Sequence, residues 1–349
     1  MRAFRMVSKS VATSSDIQNK NGMKAFLMLG GSIALLLLMA FSVTQGAKPI
    51  PFSMIWEAIF NLDRNNMSHI VIVDLRIPRV LASALVGAAF AVSGAVMQGI
   101  TRNPMADSGL LGLNAGAGLA LSVCIAFFPQ IGYNNVIIFS FIGATIAYLM
   151  VNGIAMYRRS AATPMRIVLA GAAVGALFTA LSQGIALYNK VSQNIMFWMA
   201  GGVAGSTWKQ VTLMSPWICL ALISAIVLSR YISLLNLGDD VAKGLGLNTK
   251  LINLLCSLTV LVLAGTSVSA VGAVGFVGLV VPHVTRFLVG VDYRAIIPAS
   301  AVLGAILMVS ADLGARMLNP PFETPIGVLT ALIGIPFFLY LARRQRRAV

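Results

Sequence analysis

Long apolar stretches separated by short polar ones run through the whole chain, beginning with AFLMLGGSIALLLLMAFSV at residues 25–43. The runs neither alternate like a half-buried strand nor stop at barrel-strand length, so the pattern predicts helices. Crossing about 30 Å of hydrocarbon takes roughly 20 helical residues, and in lipid only helices or closed barrels satisfy every backbone hydrogen bond. By that length rule we expect about ten spans, near 24–44, 79–100, 109–128, 134–156, 166–188, 211–230, 250–271, 274–288, 295–312 and 324–342. The eighth is the shortest. The expected fold is an all-α integral membrane protein: one domain over residues 24–342, a polar, disordered tail at 1–23, and a basic end at 343–349.

Composition agrees with that pattern, since 58% of residues are hydrophobic, 10% are charged and the mean hydropathy is +0.89. Only lipid covers so much apolar surface. Cys124, Cys219 and Cys256 all fall inside expected spans, which favours inert buried thiols over disulfides. Two histidines, His69 and His283, make no metal-ligand cluster. His283, following Pro282, reads as a structural hydrogen-bonding group at a helix start, with a place near an inner gate as the alternative.

The net charge of +15 changes the picture through its distribution. If both termini are cytoplasmic, 18 of the 25 basic residues lie in inner loops and 7 outside, as the positive-inside rule requires. That bias is what topology demands, so it gives no reason to invoke nucleic acid.

Two outer segments are too small for a core of their own. Their pieces MIWEAIFNL and NIMFWMAGG read as interfacial helices with tryptophan at headgroup level. A faint repeat at an offset of 178 pairs Gly87 with Gly265, Gly94 with Gly272 and Pro104 with Pro282. The matched spans lie an odd number apart, which implies an inverted repeat of the kind found in transporters. The clustered glycines read first as close helix packing. GAVGFVGLVVPH at 272–283 has a second reading as a broken helix lining a path.

Several absences carry weight. The chain has no G-x-x-x-x-G-K-[ST], so it has no phosphate-binding loop of that type. Carboxylates are nearly absent from the spans, with Asp312 at the outer end of the ninth and Asp107 in an inner loop, which argues against coupling to an ion gradient. No paired carboxylates, activated nucleophile or metal site suggest an enzyme. Energy then has to come mechanically from a partner, which needs a cytoplasmic handle. LNLGDDVAKGLGLNT at 235–249 suits it: Leu237, Val241 and Leu245 form an apolar stripe, while Gly238, Ala242 and Gly246 permit close approach. An ordinary solvated loop is the plainer alternative, as is a carrier or channel working without ATP.

The chain resembles the FecCD-type permeases, membrane subunits of binding-protein-dependent ABC importers for iron-siderophore complexes, haem and cobalamin. The resemblance covers nearly all of residues 24–342 and rests on LRIPRVLASALVGAAFAVSGAVMQGITRNPMADSGLLGLNAGAG, WMAGGVAGSTW, LGDDVAKGLGL, GAVGFVGLVVPHVTRFLVG, ADLGAR and FFLYLARR taken together. It implies no cofactor, no enzymatic activity in this chain, and a bacterial plasma-membrane location. The implied partners are two cytoplasmic ATPase subunits, an extracellular or periplasmic substrate-binding protein and a second permease subunit, the same chain or a paralogue. Leu237, Gly238, Asp239, Asp240, Ala242, Leu245 and Gly246 match the element that docks into the ATPase. Arg76 and Arg316, with Arg79 as a weaker third, match the arginines that meet the binding protein. The path is implied at a dimer interface that includes Gly171, Gly175 and Gly278. Iron-siderophore is the expected cargo, with haem and cobalamin open.

Overall fold

The computed structural model describes residues 14–46, 49–156, 164–199, 201–318, 322 and 324–346. Helices make up all its regular structure, and no strand occurs among the described residues. In chain order they are α1 (Ser14–Thr44), α2 (Phe52–Phe60), α3 (Met67–Thr101), α4 (Leu113–Phe127), α5 (Tyr133–Met156), α6 (Pro164–Tyr188), α7 (Ser192–Met199), α8 (Trp208–Leu235), α9 (Asp239–Gly244), α10 (Thr249–Val271), α11 (Val277–Val289), α12 (Tyr293–Leu318) and α13 (Ile326–Arg346). Seven are long and apolar enough to cross a membrane, and shorter apolar helices lie at Leu113–Phe127, Val277–Val289 and Ile326–Leu339. Each expected span therefore has a helix.

At α3 and α12 the boundaries move, and charge explains it. Sequence pattern alone starts the second span at residue 79 and stops the ninth at 312, because arginines and aspartates interrupt the apolar run. The helices continue through them, α3 back to Met67 and α12 on to Leu318, since Asp312 pairs with both Arg79 and Arg316. α1 begins at Ser14, so the expected disordered tail is helical from there, while residues 1–13 lie outside the described residues, as do residues 347–349 of the basic end. α11 is short because residues 272–276 leave the helix: Gly272 has φ +77° and Phe276 φ +69°. One cysteine departs from expectation, since Cys219 is exposed on α8 while Cys124 and Cys256 are buried.

The core forms around α3, whose membrane stretch is mostly buried, with α8, α10, α11 and α12 packed about it. Small residues allow the approach. A Cβ on Gly87 would lie 2.3 Å from the Gly304 carbonyl of α12, and one on Gly94 only 1.9 Å from the Gly278 carbonyl of α11. With no hydrophobic force to draw helices together in lipid, such backbone contact supplies the packing.

At the positions paired by the sequence repeat, local structure differs. Gly94 is mid-helix while Gly272 ends one, and Pro104 lies in a loop while Pro282 lies inside α11.

The outer pieces are helical as expected. α2 buries Ile55 and Ala58 and leaves Phe52, Trp56 and Phe60 exposed. α3 is wound wider over Val71–Arg76, and the Trp208 indole at the start of α8 donates to the Val73 carbonyl there at 2.8 Å.

Candidate functional site

On the face that the basic-residue bias assigns to the cytoplasm, taken as the inner one, α8 ends at Leu235 and the chain turns at Gly238 (φ +127°) and Gly246 (φ +78°), backbone conformations that glycine adopts without a side-chain penalty. Between them α9 carries Asp239 and Asp240 in its first turn and Lys243 in its last. Leu237, Val241 and Leu245 are 65%, 49% and 62% exposed, an apolar stripe that this chain leaves uncovered. Ala242 corrects the expectation. It is fully buried in the chain's own core, so its small side chain serves internal packing and not the approach of a partner.

Sequence reasoning missed the residue that braces this segment. Arg102, at the left-handed end of α3 (φ +52°), donates from Nε to the Leu235 carbonyl at 2.9 Å and from Nη2 to Asp239 Oδ1. The loop beyond it returns to α11, where Asp107 Oδ1 would meet a Cβ on Gly278 at 2.4 Å. Burial pushes the Asp107 carboxyl above the usual carboxylate range, against the opposing effect of the Ser108 and Gly109 N–H groups.

At the outer face the three arginines come together, but inward. An α-helix leaves its last four carbonyls without intrahelical partners, and those of α1 are all taken up. Thr44 Oγ1 donates to the Phe41 carbonyl (2.7 Å), Arg316 Nη1 to Ser42 (3.2 Å), and Arg76 Nη1 to Val43 and Thr44 (2.8 and 2.9 Å). Asp312, fully buried, binds Arg79 Nε at 2.9 Å and Arg316 Nη2 at 3.0 Å. Arg76 and Arg79 are buried as well. The cluster ties α1, α3 and α12 into one body. Asp312 is the member that the sequence analysis noted as a rare carboxylate but did not pair with the arginines, although an aspartate four residues before an arginine in an otherwise uncharged span is a readable signal.

The three path glycines separate. Gly278 is packed against the Phe90 carbonyl, Gly94 and Asp107, with no open space beside it. Gly171 is buried in α6, whereas Gly175 has open space over its Cα, beside exposed Ala172, Ala176, Thr179 and Gln183. His283 lies mid-way along α11 and not at its start, its ring edge-on to Phe337 with centroids 5.4 Å apart. Among the described residues no three His, Cys, Asp or Glu side chains group to hold a metal.

The pattern of the FecCD transport family matches residues 34–344. This chain belongs to that family. It is 49% identical over 326 residues to the iron(3+)-hydroxamate import system permease protein FhuB of Bacillus subtilis, covering 93% of this chain and 85% of that one. The hemin transport system permease protein HmuU of Yersinia pestis is 37% identical, with 92% and 96% covered. Among solved structures, an inward-facing metal-chelate type ABC transporter aligns with a TM-score of 0.79 at 26% identity, covering 91% of this chain and 98% of that one. This FecCD chain is therefore a multi-pass transport permease of the ABC-importer class, all-helical as its sequence pattern predicts.

Proposed function

We propose that this chain is the permease for a ferric hydroxamate chelate in an ABC importer of the plasma membrane, with both termini cytoplasmic. The cargo assignment is carried by one observation, the 49% identity over 93% of the chain to a hydroxamate permease. The distribution of basic residues supports the orientation.

Two ATPase subunits act from the inner face on the exposed stripe Leu237, Val241 and Leu245, on Asp240, and on the turns at Gly238 and Gly246. A second permease subunit packs along the open face of α6, where Thr179 and Gln183 are polar groups ill-suited to lipid. The cargo moves between the two subunits past Gly175. A binding protein delivers it to the outer seat organised by Arg76, Arg79 and Arg316.

Because those arginines also hold the end of α1, reversing their charge would disturb the fold together with any docking. Docking is better tested from the other side, by neutralising acidic residues of the binding protein and measuring receptor-stimulated ATP turnover.

For the function itself, the gene is deleted and uptake of radioactive iron in a trihydroxamate chelate is compared with haem and cobalamin uptake. Loss of the first alone is expected, and loss of haem or cobalamin uptake instead would overturn the cargo. Hydroxamate uptake that survives ATP depletion would leave a carrier in place of an importer.

A further inference from the structure

α11 is the weakest crossing element by geometry. Its 13 residues span about 20 Å at 1.5 Å per residue, short of about 30 Å of hydrocarbon. Residues 272–276 before it are non-helical, and Phe276, at φ +69°, rests on Gly334 of α13, where a Cβ would lie 2.2 Å from its ring. Inside α11, Pro282 has no N–H to return to residue 278, so the Gly278 carbonyl loses its helical donor.

Another helix supplies the missing donor. The buried Gln98 amide of α3 donates from Nε2 to the Gly278 carbonyl at 3.2 Å and reaches the Leu279 carbonyl at 3.4 Å. Its Oε1 accepts from Arg286 Nη2 in the last turn of α11 at 2.6 Å. Gln98 thus grips both ends of the proline break. One helical turn further along α3 comes Arg102, bonded to Leu235 and to Asp239 of α9.

We propose that Gln98 is a positioning residue that transmits displacement of α9, through Arg102 and the inner end of α3, to the broken helix α11. The inference rests on the importer reading above and deepens it by naming the route inside the chain. A rigid α3 carries the motion because Gly99 lets Ile232 of α8 and Tyr293 of α12 press directly on its backbone. α11 follows because the carbonyl that Pro282 leaves without a helical donor is held from outside.

The test uses the complete importer in vesicles, with a radioactive iron trihydroxamate as cargo. The ratio of iron imported to ATP hydrolysed is measured together with thermal stability. Gln98→Met should lower that ratio about tenfold, within the usual range for coupling between sites, while receptor-stimulated ATP turnover continues. Gln98→Glu, which keeps a partner for Arg286 but has no amide donor, should behave like Gln98→Met. Pro282→Ala returns an N–H to the Gly278 carbonyl, so in that background Gln98→Met should change the ratio by less than about twofold, the non-additivity expected of residues sharing one bond. An unchanged ratio in Gln98→Met, or an equal fall in the Pro282→Ala background, would overturn the route and leave the importer reading standing. A parent complex with no receptor-stimulated ATP turnover would overturn both.

Discussion

α3 is held near its middle and at its C-terminal end by an arginine bound to an aspartate, but the two pairs live in different media. In the outer pair the side chains of Arg79 and Asp312 are 10% and 0% exposed, while in the inner pair those of Arg102 and Asp239 are 39% and 53% exposed. A buried pair is expensive to break because the surviving charge has no water to turn to. An exposed pair is worth little, since water and salt replace either partner. The outer pair is thus built to stay as it is, and the inner pair can let go and re-form. That asymmetry suits the proposed drive from the cytoplasmic side.

The contrast can be broken in four ways. Asp312→Ala strands Arg79 and Arg316 together and should cost about 3–5 kcal/mol; thermal unfolding of the purified protein would show a large drop, and a loss below about 1 kcal/mol would mean the outer clamp is not under tension from burial. Gly94→Ala drives a methyl into the Gly278 carbonyl and should cost about 1–3 kcal/mol, the usual range for overpacking. Arg102→Ala should cost about 1 kcal/mol or less by the same unfolding measurement, and a cost as large as that of Asp312→Ala would erase the difference between the two pairs. Leu245→Asp, at an exposed position of the stripe, should leave stability within about 0.5 kcal/mol yet reduce co-purification of the ATPase subunit. Undiminished co-purification would remove the stripe from the docking face.

Much of the fold was legible because lipid imposes a single rule on every span, and apolar length follows it. Residues 134–156 and 166–188 show this, their edges agreeing with α5 and α6 to within two residues. The misplaced edges of α3 and α12 share one cause. A one-dimensional pattern treats Arg79, Asp312 and Arg316 as breaks, whereas in three dimensions the single carboxylate, 233 residues from Arg79, pairs with both arginines inside the protein. The segment at 235–249 stood out because glycine, aspartate and leucine in this mixture are out of place between apolar spans. Arg102 and Ala242 were not. Nothing local distinguishes an arginine that reaches 137 residues ahead to Asp239, or an alanine that turns inward, from one that does neither.

The cap on α1 sets a schedule for biogenesis. Arg316 is made 274 residues after Ser42, whose carbonyl it covers. At about 5–20 residues per second, a ribosome needs roughly a quarter of a minute to a minute for that distance. Through that interval the first helix sits in the bilayer with its outer rim unfinished. The nascent chain is therefore most open to quality-control proteases before α12 emerges, and newly made permease should harden abruptly when it does.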